Sequence, residues 1–282
     1  MGRMLDALPQ PHLNARHFGA RSLCVLTDDA LFDTCGVRIA FSSRDGGVSE
    51  SPYRSLNLGS HVGDNPQAVQ ENRAVLLEAL GAADVRLIVP NQVHGTTVVV
   101  VDNPSAAAFD RATDEAQEGA DAIVVAVPRT AALLCFADCV PVIVVSPSGA
   151  FVVAHAGWRG ALAGVAACAV QQLVHACERQ GGCTDPSRYN AYIGPHIGAE
   201  CFETGDDVRA RFRERYGEAC LVGERNVDLD RTLAINLGEA GVSPDRIAHA
   251  RVCTVCRSDE YYSYRAEGGV CGRHGAIAFK ED

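Results

Sequence analysis

The sequence predicts a single α+β domain with mixed sheets. Short apolar and β-branched runs recur from about residue 85, capped helical patterns lie between them, and the two interleave without the strict alternation of a parallel βαβ protein. The 282 residues suffice for a sizeable core in one domain, and no Gly/Ser-rich or Pro-rich linker, internal repeat or low-complexity tract divides them.

Asn65 and Pro66, followed by Val69, Leu76, Leu77 and Leu80 ahead of Gly81, read as a capped amphipathic helix, because proline suits the first turn and glycine the exit. Strands are expected at 85–89, 97–101, 123–127, 142–145 and 151–154. Several are continuously apolar, as in strands covered on both faces. Residues 103–119, rich in Ala, Asp and Glu, read as a solvated loop with some helix. After Gly160 a small-residue helix runs to about Arg179, closed by Gly181 and Gly182, with Leu162, Val165, Ala169, Leu173 and Cys177 facing inward. Helices over 206–216 and 228–239 and a closing strand at 277–279 complete the pattern.

A net charge of −10 argues against the clustered positive surface that nucleic-acid binding requires. Small anions can still bind locally at an arginine or a helix start. No apolar run is long enough to span a bilayer, and residues 1–15 lack the apolar core of a secretory signal, so a cytoplasmic protein without a membrane partner is expected. The 12 cysteines are scattered, and Cys135, Cys168 and Cys177 lie in apolar stretches. They read as reduced thiols rather than a disulfide framework.

Three segments carry a metal-ligating or nucleophilic group beside a tight turn or strand end: Gln92-Val93-His94-Gly95, Ala137-Asp138-Cys139-Val140 and His155-Ala156-Gly157-Trp158-Arg159-Gly160. Two imidazoles and a thiolate are donors that zinc favours, and catalytic zinc takes three protein ligands with a fourth position open. No local pair such as HExxH fixes their geometry, so the fold must bring them together. Cys139 and His155 also suit the thiolate and base of a cysteine hydrolase. Metal separates the two readings, because zinc on the sulfur neutralises the nucleophile.

Around this set, Asp138 can orient a ligand, move a proton or simply shape its turn. Arg44 and Arg159 lie beside glycines and suit phosphate or ribose recognition, or a surface ion pair. Asn57 and Gln92 can pair with a purine edge or tie loops together. Trp158 and Tyr262 can stack on a base or pack in the core. Near the end, Cys253-Thr254-Val255-Cys256 and Cys271-Gly272-Arg273-His274, separated by fourteen residues, have the ligand order of a zinc ribbon, which makes a second metal an open question.

These blocks occur in order with Gly46-Gly47-Val48-Ser49, Ser55-Leu56-Asn57-Leu58-Gly59, His61-Val62-Gly63-Asp64, Ala120-Asp121-Ala122, Ile193-Gly194-Pro195 and Tyr262-Ser263-Tyr264-Arg265. The set resembles the family called multicopper polyphenol oxidase, laccase domain, or peptidoglycan editing factor. The resemblance runs from about Gly36 to the C-terminus, which sets residues 1–35 apart as an N-terminal extension of a 36–282 domain. It implies four layers, α/β/β/α, and zinc on His94, Cys139 and His155. It implies phosphorolysis of adenosine, inosine, guanosine and methylthioadenosine, with deamination of adenosine at the same metal. A Cys/His hydrolase acting on a peptidoglycan precursor is the alternative.

The copper label fits the residues poorly. Multicopper centres need many imidazoles, usually in His-x-His pairs, plus an electron-transfer site of the His/Cys/Met type. Here there are nine histidines, no His-x-His and two methionines, Met1 and Met4. Adventitious copper at the His/Cys/His set is nonetheless expected from its higher affinity.

Overall fold

The computed structural model describes residues 7–281, so Met1, Met4 and the first part of the N-terminal extension lie outside the described residues. The chain opens with strands β1 (Asn14–Phe18) and β2 (Leu23–Thr27), helix α1 (Asp29–Cys35) and β3 (Val37–Ser42). Helix α2 (Pro66–Ala79), β4 (Arg86–Ile88), β5 (Val98–Val101), α3 (Ala106–Gly119), β6 (Ala122–Val125) and β7 (Thr130–Phe136) follow. Then come β8 (Val140–Val145), β9 (Phe151–Ala156), α4 (Trp158–Ala163), α5 (Val165–Arg179), β10 (Asn190–Ile193) and α6 (Asp206–Tyr216). The rest comprises β11 (Leu221–Val222), β12 (Asn226–Val227), α7 (Leu229–Glu239), β13 (Ile247–His249) and β14 (His274–Lys280).

Twelve of these strands form two six-stranded sheets, ordered β1-β2-β3-β14-β7-β4 and β13-β10-β8-β9-β6-β5. Both are mixed: β4–β7, β5–β6 and β10–β13 pair in parallel, whereas the central pairs β3–β14, β7–β14 and β8–β9 are antiparallel. Strand side chains alternate between faces, and that alternation builds the layers. Val142 and Val144 of β8 join the core under α5 and α7, while Ile143 and Val145 point into the space between the sheets. On β14, Ala276 and Ala278 face the second sheet, and Ile277 and Phe279 pack beneath Leu76 of α2. The result is α/β/β/α.

Each expected strand and helix has a counterpart, with physical adjustments at its ends. The helix expected to run unbroken to Arg179 is two helices, because Gly164 adopts a left-handed φ of 80° that ends α4 and starts α5. Residues 103–119, expected as a solvated loop with some helix, are mainly the 14-residue α3, capped by the Ser105 hydroxyl on the Ala108 amide and buried through Ala112 and Ala116. The segment ahead of Gly36 is built into the first sheet: β2 pairs with β3, and β1 with β2. Asp28 caps α1 and also accepts hydrogen bonds from the His12 amide and the Tyr192 hydroxyl, fastening this segment to the second sheet.

Candidate active site

His94 lies in the connection between β4 and β5, Cys139 precedes β8, and His155 ends β9. Their ligand atoms all lie within 4.8 Å of one another. Cys139 Sγ is 3.9 Å from His94 Nε2, and the two imidazoles meet edge to face with centroids 4.8 Å apart. His155 is buried at 3% exposure, whereas His94 is exposed.

The strand register explains half of this convergence. Pairing of β8 with β9 sets Val140 opposite Ala156 and Pro141 opposite His155, so Cys139 and His155 emerge from one end of neighbouring strands. Gly157 supplies close approach: a Cβ there would stand 2.7 Å from His94 Cδ2 and 3.2 Å from Cys139 Sγ. Any side chain there would crowd the His94 ring and displace it from Cys139.

Asp121, just ahead of β6 and fully buried, supplies the other half. Its carboxylate accepts from the backbone amides of Val93, His94 and Gly95, at 3.3, 2.9 and 2.6 Å, and lies 2.8 Å from His155 Nδ1. One carboxylate thus holds the His94 loop, where His94 itself has φ 62°, and orients the His155 ring. Burial works against its charge, but the bond to His155 and the Gly95 and His94 amides hold its pKa below the ordinary value. A hydrogen bond donated by His155 Nδ1–H to Asp121 leaves Nε2 as the position a metal would take in place of a proton, the outer-sphere arrangement that raises the basicity of a metal-binding histidine.

Burial alone would raise the Cys139 thiol, yet His155 and His94 beside it bring it down to about 6. Burial would likewise lower His155, but Cys139 and Asp121 push it up to about 9. The pair therefore favours thiolate and imidazolium. A transition metal, itself a cation, would take the place of those protons, since it binds the deprotonated thiol and neutral imidazole. Two imidazoles, a thiolate and a supporting carboxylate fit such an ion.

His94, Cys139 and His155 form part of the wall of a cavity of about 470 Å³, which is also lined by Gln92, Asp138, Trp158, Arg159, Phe202, Tyr264, Arg265 and Arg273. Arg159 lies over the Trp158 ring at 4.4 Å, and Arg273 lies 5.8 Å from the Tyr264 ring. In a chain of net charge −10, three guanidiniums at one cavity face, among the described residues, a single carboxylate, Asp138. Both oxygens of that carboxylate are used: one accepts from Thr254 Oγ1 and the other from the Arg265 amide, each at 2.7 Å.

Gln92, Asn57 and Arg44 each hydrogen-bond to neighbouring loops or strands. Gln92 reaches the cavity, but its amide exchanges two hydrogen bonds with the Cys135 backbone. Asn57 does not line the cavity; it bonds Gly59, Asp64 and the Arg273 amide. Arg44 is also outside the lining: it donates to the Ser258 and Arg54 carbonyls, pairs with Glu267 and lies over Tyr262. The ribbon-like set does not assemble either. Among the described residues, Cys253 and Cys256 group with Glu200 and Cys201, while His274 is drawn into the first sheet between β3 and β7 beside Phe136 and Tyr261.

Sequence reasoning passed over Asp121, His61, Tyr264, Arg265 and Arg273 as site residues. The first four sit in blocks that carry the family resemblance, Ala120-Asp121-Ala122, His61-Val62-Gly63-Asp64 and Tyr262-Ser263-Tyr264-Arg265, so a signal existed. His61 lines the cavity, where burial and Arg273 hold its pKa below the ordinary value.

Comparison with known proteins places the chain. A Pseudomonas aeruginosa protein named purine nucleoside phosphorylase is 36% identical over 254 residues, covering 87% of this chain and 94% of that one. A protein from an unknown prokaryotic organism, named adenosine deaminase, is 32% identical over 243 residues, covering 83% and 90%. The crystal structure of the Bacillus licheniformis hypothetical protein YfiH matches with a TM-score of 0.78 at 27% identity, covering 93% of this chain and 97% of that one. The model of the multi-copper polyphenol oxidoreductase laccase family matches residues 38–281, and the chain belongs to that family.

Proposed function

We propose that this protein is a zinc-dependent purine nucleoside phosphorylase that also deaminates adenosine. The observation that carries this reading is the cavity itself, which sets two imidazoles and a thiolate beside three arginines and aromatic faces. Its volume suits a nucleoside with a small anion, and the relatives named for these two activities support the assignment.

His94, Cys139 and His155 would hold the zinc, and Asp121 orients His155 for it. Zinc bound there would supply Lewis acidity suited to deamination at the purine C6 position. Arg159, Arg265 and Arg273 supply donors for phosphate, in preference to Arg44, whose guanidinium is spent on loop carbonyls and Glu267. Trp158, Phe202 and Tyr264 offer faces to the base and exclude water from one side of it. Asp138, with both oxygens engaged, positions Thr254 and Arg265. The donor set of two imidazoles and one thiolate does not provide the many imidazoles of a multicopper centre.

A second reading, a Cys/His hydrolase, draws on the thiolate-favouring environment of Cys139, at about 6. Metal-replete and metal-stripped protein separate the two when offered adenosine. Zinc-dependent conversion to inosine is expected of the nucleoside enzyme. Full hydrolase activity toward an amide or ester in stripped protein, with no product from adenosine in replete protein, would replace it with the covalent mechanism.

A further inference from the structure

Outside this cavity, Glu200, Cys201, Cys253 and Cys256 place one oxygen and three sulfurs within 4.8 Å of one another. We propose that these four side chains form a second, closed zinc site that fastens together two loops of the cavity wall. Three thiolates and a carboxylate complete a tetrahedron without a vacant position, which is the pattern of a structural rather than a catalytic ion.

The topology explains why residues so distant in sequence meet. Strands β10 and β13 are parallel neighbours at the edge of the second sheet, so their following loops leave it at the same end. The loop after β10 carries Glu200 and Cys201; the one after β13 carries Cys253-Thr254-Val255-Cys256. A parallel bridge between His196 and Cys253 sets them side by side, and the Thr254 amide donates to the His196 carbonyl at 2.9 Å.

The distances are those of ligands around an ion. Cys201 Sγ and Cys256 Sγ are 3.6 Å apart, and Cys256 Sγ is 3.7 Å from Glu200 Oε1. A tetrahedron with zinc–sulfur bonds of about 2.3 Å has sulfur–sulfur edges of about 3.8 Å. The Gly198 amide donates to Cys253 Sγ at 3.2 Å, a bond that favours the thiolate. Glycine at 198 also leaves room for the Glu200 carboxylate, since a Cβ there would collide with it. All three cysteines are free thiols in the structure, and binding zinc would release their protons to solvent.

The site reaches the cavity through short covalent and hydrogen-bonded links. Ile197 and Phe202, on either side of Glu200 and Cys201, line it. Thr254, inside the Cys-x-x-Cys turn, holds Asp138. Arg265 donates to the Cys201 and Glu203 carbonyls and lies 5.9 Å from the Phe202 ring. Loss of the ion would therefore loosen the wall that carries Phe202 and Arg265, weakening substrate binding while leaving His94, Cys139 and His155 in place.

Zinc analysis of protein purified under reducing conditions tests the proposal independently of the first site. Wild type should hold about two zinc ions per chain, Cys139→Ala and Cys256→Ser about one each, and the double variant none. If the first site held no metal, wild type and Cys139→Ala would each carry one ion that Cys256→Ser loses, and the second site would stand. Wild-type zinc content in Cys256→Ser would overturn it. Should Cys256→Ser fail to fold, zinc-edge X-ray absorption on Cys139→Ala decides: a shell of three sulfurs and one oxygen is expected. A shell of nitrogen and oxygen alone, or a Cys201–Cys256 disulfide in the reduced preparation, would overturn the assignment.

Discussion

The two metal-capable clusters differ in what builds them. His94, Cys139 and His155 stand at strand ends and a neighbouring turn, are brought together by the β8–β9 register and by one buried carboxylate that ties the His94 loop to His155, and open onto a 470 Å³ cavity. Glu200, Cys201, Cys253 and Cys256 lie on two loops side by side and surround a point with four donors of their own. A three-ligand site leaves coordination for a reacting molecule, whereas a four-ligand site spends its ion on holding loops together. On the proposed reading, one position would use its ion for chemistry and the other for shape.

Substitutions sharpen that contrast, and the largest effect belongs to the open site. Cys139→Ala should lower both nucleoside reactions by more than about 100-fold, beyond what losing an outer-sphere partner costs, with cooperative thermal unfolding retained. Activity within a few-fold of wild type would break the claim that this cluster is the catalytic one. Asp121→Asn should follow, at about 10- to 100-fold in activity or metal affinity. That variant should also melt lower, because the carboxylate accepts from three backbone amides as well as His155. A loss of stability without any change in metal affinity would reduce Asp121 to a frame residue.

The arginines divide along the same line between chemistry and frame. Arg159→Ala and Arg273→Ala should impair phosphorolysis more than deamination, since only phosphorolysis uses the anion. Arg44→Ala should instead cost about 1–3 kcal/mol of stability, through loss of its charged hydrogen bonds, and lower both reactions equally. Steady-state kinetics on both substrates together with denaturant unfolding check this, and a selective phosphate defect in Arg44→Ala would reverse the assignment.

The smallest effect is a pH signature. In metal-stripped protein the Cys139 thiolate is favoured, so alkylation should rise with a midpoint near 6. Below that pH the thiol is protonated and slow; above it the thiolate persists, and restoring zinc should suppress the reaction. Ordinary thiol titration in stripped protein would mean that His155 and His94 do not stabilise the thiolate as their positions indicate.

The contrast also shows what a linear sequence reveals. His94, Cys139 and His155 are legible because each sits beside a turn or strand whose local pattern is strong, and β8, β9 and α2 are legible for the same reason. Strand β7, Thr-Ala-Ala-Leu-Leu-Cys-Phe, carries no β-branched run to separate it from a buried helix and acquires its form only between β14 and β4. Helix α3 hides because its buried face is made of alanines. The second cluster is invisible to spacing: Cys253 and Cys256 face two ribbon-like partners along the chain, but parallel pairing of β10 with β13 gives them Glu200 and Cys201 instead. Arg44 and Asn57 likewise sit beside site-like blocks, yet their polar atoms are consumed by neighbouring loops.

The most direct measurement is hypoxanthine release from inosine by zinc-replete protein, with and without inorganic phosphate. Phosphorolysis at the His94–Cys139–His155 cavity predicts release that depends strictly on phosphate and disappears in Cys139→Ala. Release at the same rate without phosphate, or no release while an amino-acid-bearing sugar nucleotide is cleaved, would contradict it.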